Sequence, residues 1–329
     1  MRRFFTIGIV AAAAVVMAAT GFLAWIGTGG GLAPVSPASP GANDVQDLYV
    51  MAGAIATFIF LVVTVPLVLF VIRFRSRDGD RRREGAQILG SQRLELLWTI
   101  VPILFVVSLM VVTFIKLPGI NNPARAAGST DLRVTVEGRQ FYWRYIYDNG
   151  AVAVDELRLP IGRRVKLEIT APKWDVIHSF WVPALSGKRD AIPGRVNELK
   201  IRPTKLGLFE GKCAELCGIQ HGAMLLHVRV VPAADFSQWV EQQASVTKGG
   251  SKELGKTLFE DVCTKCHFAA PEFAPNISTN PLLGDPAGIR LLVQNGRGRM
   301  PAVGKGWTEG ELRALTSYLK TIAPKGSAG

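Results

Sequence analysis

Two apolar runs, residues 48–72 and 94–115, constrain this 329-residue chain more than any other feature. Each is almost free of charge and long enough to cross a hydrocarbon core of about 30 Å at about 1.5 Å per residue. Pro66 and Pro102 fall inside them, which membrane-spanning helices tolerate. Between the runs lies R-F-R-S-R-D-G-D-R-R-R-E, and short loops rich in Lys and Arg stay on the cytoplasmic side. The pattern predicts a two-helix transmembrane hairpin over residues 47–118, with everything that follows outside the cytoplasm. Upstream, Met1-Arg2-Arg3 and the apolar stretch to residue 26 read as a secretory signal or an uncleaved anchor. Residues 27–46, rich in Gly, Pro, Ser and Ala at their start, read as a flexible linker.

The chain beyond the hairpin carries a second unusual stretch. Residues 213–224, C-A-E-L-C-G-I-Q-H-G-A-M, put two thiols, an imidazole and a thioether within one short loop. These are soft or borderline ligands of the kind that select copper, zinc or iron. A mononuclear electron-transfer copper site uses a single Cys with His partners and a weak Met, whereas two thiolates can bridge a pair of copper ions. A structural zinc site, closed by four N/S ligands, remains the competing reading of the loop alone. His178, in W-D-V-I-H-S-F-W-V-P, is the natural candidate for a second imidazole, although a lone strand histidine is more often structural. Runs such as L-R-V-T-V-E-G, F-Y-W-R-Y-I-Y, R-V-K-L-E-I-T and M-L-L-H-V-R-V-V alternate or are rich in β-branched and aromatic residues. Several such strands between residues 119 and 244 predict an all-β sandwich whose end loops carry the metal site.

A third motif follows a short polar stretch, residues 245–251, read as a linker. The segment E-L-G-K-T-L-F-E-D-V-C-T-K-C-H has a helical pattern and ends in C-x-x-C-H, the attachment motif for a covalent haem c. Cys263 and Cys266 would form the thioethers and His267 would ligate the iron. A thioredoxin-like dithiol is the rival, but the βαβ context it needs is missing from the pattern. Met300 supplies the thioether for the sixth position, since Met/His ligation is the arrangement of electron-carrying cytochromes c. Thr308 and Glu311 form a capping-box pair ahead of a helix with Leu312, Leu315, Tyr318 and Leu319 on one face. Residues 252–322 therefore predict a small all-α cytochrome c domain with a short tail, residues 323–329.

The stretch H-S-F-W-V-P-A-L-S-G-K-R-D-A-I-P-G-R, taken with C-A-E-L-C-G-I-Q-H-G-A-M, closely resembles subunit II of haem-copper cytochrome c oxidases. The resemblance covers roughly residues 47–240 and implies a cupredoxin β-sandwich with a binuclear CuA centre. By matching position it assigns His178, Met224 and the bridging thiolates to one copper. The other copper takes His221, the carbonyl of Glu215 and the same two thiolates, Cys213 and Cys217. It further implies a Mg2+ ion bound by the Glu215 side chain at the boundary with subunit I, and an acidic role near that boundary for Asp190, whose plain reading is a turn residue. Glu95 aligns with a glutamate that admits protons, against a plain reading as a favourable helix-start acid. In G-R-Q-F-Y-W-R-Y the first aromatic is Phe141 where the family usually has the Trp that receives electrons, with Trp143 two residues on. His227 matches no ligand and reads as an ordinary strand residue.

The whole chain resembles the oxidase variety with a cytochrome c domain fused to subunit II. The implied function is to receive electrons at the haem, pass them to CuA and deliver them to subunit I, where O2 would be reduced to water. On this reading the fused domain is a tethered donor at high effective concentration. Implied partners are subunits I and III, the bacterial plasma (inner) membrane, and an upstream cytochrome or bc-type complex. A CuA and haem c subunit of a nitric oxide or nitrous oxide reductase, and a copper-binding assembly protein, are the alternatives. Nucleic acid is not among the partners. The formal charge is +12, but residues 73–93 hold seven Lys/Arg against three Asp/Glu, which topology explains, and the rest of the excess is dispersed.

Overall fold

The computed structural model describes residues 35–74, 87, 90–124, 131–268, 274–277 and 280–324. The N-terminal signal or anchor, residues 27–34, most of the cytoplasmic loop and residues 325–329 lie outside the described residues. The chain divides into two compact units, residues 43–118 within the first and residues 37–42 with 119 onward forming the second.

The first unit is the hairpin, built on helices α1 (Pro40–Arg73) and α2 (Gln92–Asn121). Both are apolar all round, and Phe60, Val71, Ile103 and Phe114 are more than half exposed. Such a surface suits lipid rather than water. Phe58 and Phe105 meet edge-to-face at 5.7 Å between the helices. At the outer end, Lys116 Nζ pairs with Asp44 Oδ1 at 2.8 Å and Asp47 Oδ2 at 2.7 Å. Both helices extend beyond the apolar runs, because charged and polar residues outside the hydrocarbon still complete helical hydrogen bonds.

Part of the expected flexible linker is fixed. Ala38 donates to Ala184 O at 2.7 Å and accepts from Thr204 N at 2.8 Å, and it is fully buried in the second unit. The cause is a small apolar side chain beside two backbone partners, which a Gly/Pro/Ser composition does not advertise.

In the second unit, ten strands among the described residues form two five-stranded sheets. One sheet runs β3 (Val152–Val154), β2 (Tyr142–Tyr147), β1 (Leu132–Arg139), β5 (Val165–Thr170) and β8 (Asn197–Ile201). The other runs β4 (Glu156–Pro160), β10 (Leu225–Val231), β9 (Gly207–Cys213), β6 (His178–Trp181) and β7 (Arg189–Ala191). Alternation sets the inner face: Val165, Leu167 and Ile169 of β5 and Leu226, Val228 and Val230 of β10 are buried in one core. Parallel pairing of β1 with β5 and of β4 with β10 is mixed with antiparallel neighbours. Asp190 lies in β7 rather than in a turn, paired across from Ser179, whose hydroxyl donates to its carboxylate at 2.7 Å.

The expected linker over residues 245–251 is largely helical. Helix α3 (Ala233–Gly249) lays Phe236 and Trp239 against Tyr147 and ends at Gly250, which adopts φ 68°. Thr247 Oγ1, near its end, accepts from Val152 N at 3.1 Å, so a residue that looks polar and loose is instead buried. The cytochrome region follows as α4 (Lys252–Leu258), a π turn, α5 (Thr264–His267), α6 (Pro286–Asn295) and α7 (Glu309–Ile322). Ser251 caps α4, and α7 carries the full Thr308/Glu311 capping box.

This region is docked on the sandwich as well as joined to it through α3. Tyr142 and Val154 of the sandwich share a hydrophobic cluster with Leu258, Val293, Trp307 and Leu315. Arg144 meets both carboxylate oxygens of Glu311, at 2.9 and 2.8 Å, and Glu311 is fully buried. Glu137 joins Arg144 and Arg139 on the sandwich side, and Arg139 reaches Lys305 O at 2.6 Å. Tyr142 donates its hydroxyl to Val303 O at 2.6 Å and accepts from Trp307 Nε1 at 2.9 Å.

Candidate metal centre

Strand β9 ends on Cys213, and β6, its neighbour in the sheet, begins on His178. Pairing of these strands brings together residues 35 apart in sequence. The turn between β9 and β10 then carries Cys217, His221 and Met224 back over the same end of the sandwich. Cys213 N donates to Met224 O at 3.0 Å and closes the loop.

The two sulfurs lie 3.9 Å apart, so they are not a disulfide and leave room for bridged ions. His178 Nδ1 stands 4.0 Å from Cys213 Sγ, and Glu215 O lies 3.2 Å from the same sulfur. His221 Nδ1 is 3.6 Å from Cys217 Sγ, and Met224 Sδ is 3.7 Å from it. The ligand atoms of His178, Cys213 and Cys217 all fall within 4.8 Å of one another. Four donors thus surround one pair of sulfurs, six donor atoms in all, whereas a closed zinc tetrahedron needs four about a single point. The donor set fits two soft ions bridged by thiolates.

The electrostatics of the centre agree. Cys213 is pulled well below the ordinary thiol range, first by the hydrogen bond from Cys217 and, against burial, by His178. A thiolate, the form that binds metal, is therefore ready on one side of the pair. Burial pulls His178 down, but its bonds to Asp175 and Cys213 outweigh that and leave its pKa raised. Asp175 Oδ1 holds His178 Nε2 at 3.2 Å, which turns Nδ1 toward the sulfur, as carboxylates behind metal-binding histidines do. Trp143 is fully buried and meets the His178 ring edge-to-face at 6.1 Å.

The second centre is a cavity. About 430 Å³ is enclosed by Cys263, Cys266, His267, Met300 and apolar side chains including Val262, Leu282 and Leu292. That size and lining suit a large planar apolar group. His267 Nδ1 donates to Pro275 O at 2.7 Å, which leaves Nε2 free for iron. Burial pushes the Cys263 thiol up to about 12 and raises Cys266 too. A redox dithiol has a lowered pKa instead.

Three family profiles match the chain. They are cytochrome c oxidase subunit II, transmembrane domain, over residues 30–116, the periplasmic domain of the same subunit over 149–231, and cytochrome c oxidase, cbb3-type, subunit III over 250–319. Cytochrome c oxidase subunit 2 of Alkalihalophilus pseudofirmus is 31% identical over 243 residues, covering 72% of this chain and 70% of the relative. The chain belongs to the cytochrome c oxidase subunit II family. A second member, from Thermostichus vulcanus, is 32% identical over 271 residues, covering 68% of this chain and 81% of its own. The crystal structure of the periplasmic domain of subunit II of cytochrome oxidase of Bradyrhizobium japonicum is 34% identical, covers 36% of this chain and 98% of its own, and has a TM-score of 0.34.

In this subunit II the cupredoxin sandwich therefore brings His178, Cys213, Glu215, Cys217, His221 and Met224 together. The cytochrome c domain does the same for Cys263, Cys266, His267 and Met300. The Glu215 side chain is exposed. Glu95 sits exposed in the first turn of α2. Phe141 is buried and lines the haem cavity, and Trp143 lies in the core beside His178. Sequence reasoning missed Asp175, three residues before His178 and recognisable only as an acid near a ligand. It also missed Arg144 and its pairing with Glu311 across 167 residues, which leaves no local signal.

Proposed function

We propose that this chain accepts electrons for a respiratory terminal oxidase, taking them at a covalent haem c on His267 and Met300 and passing them through CuA to subunit I for reduction of O2 to water. When bound, the haem and the dicopper pair supply one-electron chemistry at nearly fixed geometry. The chain's own residues hold that geometry. Cys213 and Cys217 would hold both copper ions, with His178 and His221 on the two sides and Met224 and the Glu215 carbonyl completing the set. The observation that carries this reading is the division of four donors into two sets about one sulfur pair, in a chain with a membrane hairpin and a haem motif.

The hairpin and the exposed apolar side chains flanking the ligands, Leu216, Val176 and Ile177, suit docking on subunit I in the bacterial plasma membrane. Glu215 is open to take a Mg2+ ion there, a hard cation suited to carboxylate oxygen. Subunit III, a bc-type donor and proton delivery at Glu95 complete the proposal. The domain division follows it: hairpin 47–118, cupredoxin domain 119–244, cytochrome c domain 252–322. Oxygen uptake by the purified complex with reduced cytochrome c, measured beside nitric oxide consumption, tests the reading. Turnover of nitric oxide alone would overturn it. Cys217→Ser is expected to abolish the mixed-valence copper resonance and leave the haem spectrum intact.

A further inference from the structure

We infer that Tyr142 and Arg139, both on the sandwich, are positioning residues for the axial methionine, so that the haem keeps Met300 as its sixth ligand only while the cytochrome domain sits on the sandwich. The inference rests on the haem reading above and goes beyond it by assigning control of that ligand to the copper-bearing domain.

Met300 lies on the loop between α6 and α7, where Met300, Pro301 and Val303 line the haem cavity together. On its N-terminal side this loop is held from within its own domain. Arg297 and Met300 exchange backbone hydrogen bonds at 3.0 Å in both directions, and Gly296 and Gly298 supply the positive φ of 70° and 60° that the turn needs. Gly304 N then donates to Val293 O at 2.8 Å.

The rest of the loop is held from outside. Tyr142 Oη donates to Val303 O at 2.6 Å and accepts from Trp307 Nε1 at 2.9 Å, so one hydroxyl closes both ends of the 303–307 segment. Tyr142 is fully buried, and burial pushes its pKa up to about 12, which keeps the hydroxyl protonated for both bonds. Between those two points Arg139 Nη1 donates to Lys305 O at 2.6 Å. Its other nitrogens are bonded to Glu137 at 3.1 and 2.8 Å, so the guanidinium is aimed by the sandwich itself. Trp174, also on the sandwich, adds a ring face. Lys305 Nζ lies 4.5 Å from its centroid, and a Cβ on Gly306 would stand 3.6 Å from both the Trp174 ring and Arg139 Nη2.

Among the described residues, Val303 O, Lys305 O and Trp307 Nε1 have no hydrogen-bond partner other than these two sandwich side chains. Separation of the domains would free all three groups at once, in the segment that directly follows the iron ligand. Met/His ligation raises the haem potential, so the chain holds its electrons at high potential only in the docked arrangement.

The test uses the purified complex with ferric haem c. Near-infrared magnetic circular dichroism reads methionine ligation directly, and added imidazole competes for the same position. Tyr142→Phe keeps the ring and removes both bonds, and imidazole is expected to displace Met300 at roughly tenfold lower concentration, the size of one to two lost hydrogen bonds. Arg139→Gln is expected to shift the titration the same way by roughly threefold. The two together are expected to lose the methionine band without imidazole and to lower the haem potential, with the copper resonance unchanged. Ser251→Ala uncaps α4 in the same domain, away from the 303–307 segment, and is expected to lower the melting temperature while leaving the imidazole titration where it was. Titrations within about twofold of the unaltered complex in both Tyr142→Phe and Arg139→Gln, with haem and copper signals intact, would overturn the inference. An equal shift in Ser251→Ala would overturn it too, since general loosening of the domain would then suffice. Absence of the methionine band in the unaltered complex overturns the haem reading instead.

Discussion

The two cofactor sites of this chain are built on opposite plans. At the copper loop, donors from β6, β9 and the following turn each stand within about 4 Å of one of the two sulfurs. At the haem site the chain instead encloses a cavity of about 430 Å³ and places its ligands on the walls. A small ion is held by directed bonds and needs donors already converged, whereas a large apolar group brings its own packing surface and needs room. The sandwich suits the first because paired strands fix side chains to fractions of an ångström, and helices around a hollow suit the second.

The largest expected break in that comparison lies between the sites. Arg144→Ala leaves the Glu311 carboxylate buried and unpaired, at a cost of about 3–5 kcal/mol. The cytochrome domain should then separate or melt at lower temperature, read by the haem absorbance, while the copper resonance survives. Asp175→Asn removes the charge behind His178 and should weaken copper binding about 10–100-fold in a chelator competition, with the haem site unaffected. Thr308→Ala should cost about 1 kcal/mol, confined to the cytochrome transition, through loss of the α7 cap.

Acid acts in the same direction as Arg144→Ala but less strongly. Burial alone would raise Glu137, yet Arg139 and Arg144 outweigh it and hold its pKa below the usual carboxylate value. Its contribution is therefore fully present above an unfolded pKa of about 4.3 and is lost as pH falls through the lower folded value. Asp261 behaves in the opposite sense. Burial raises it from 3.8 to about 7, so its effect favours folding below 3.8 and is lost as pH rises toward 7. Asp261→Asn should flatten that decline in thermal scans while leaving the acid limb in place.

Much of this was legible along the chain because each motif is local or periodic. Cys213 to Met224, C-T-K-C-H and the Thr308/Glu311 box each lie within one short segment. What escaped was long-range. Residues 245–251 look like a polar linker, but Phe236 and Trp239 packing on Tyr147 draws them into a helix. Ala38 looks like linker composition, but two backbone hydrogen bonds and full burial fix it in the sandwich. Glu311 was visible as a cap, and its second bond to Arg144 was not.

By itself, then, the order of residues determined the hairpin, from uninterrupted apolar length, and marked the Cys213–Met224 loop and C-T-K-C-H as candidate copper and haem sites, from chemistry concentrated at short spacing. Only the tertiary structure decided that His178 faces Cys213, that Asp175 stands behind it, and that Phe141 closes the haem cavity against the copper loop. The reason is physical: strand pairing and domain packing join residues far apart in the chain, and the free energy of those contacts depends on surfaces that exist only once both partners have folded.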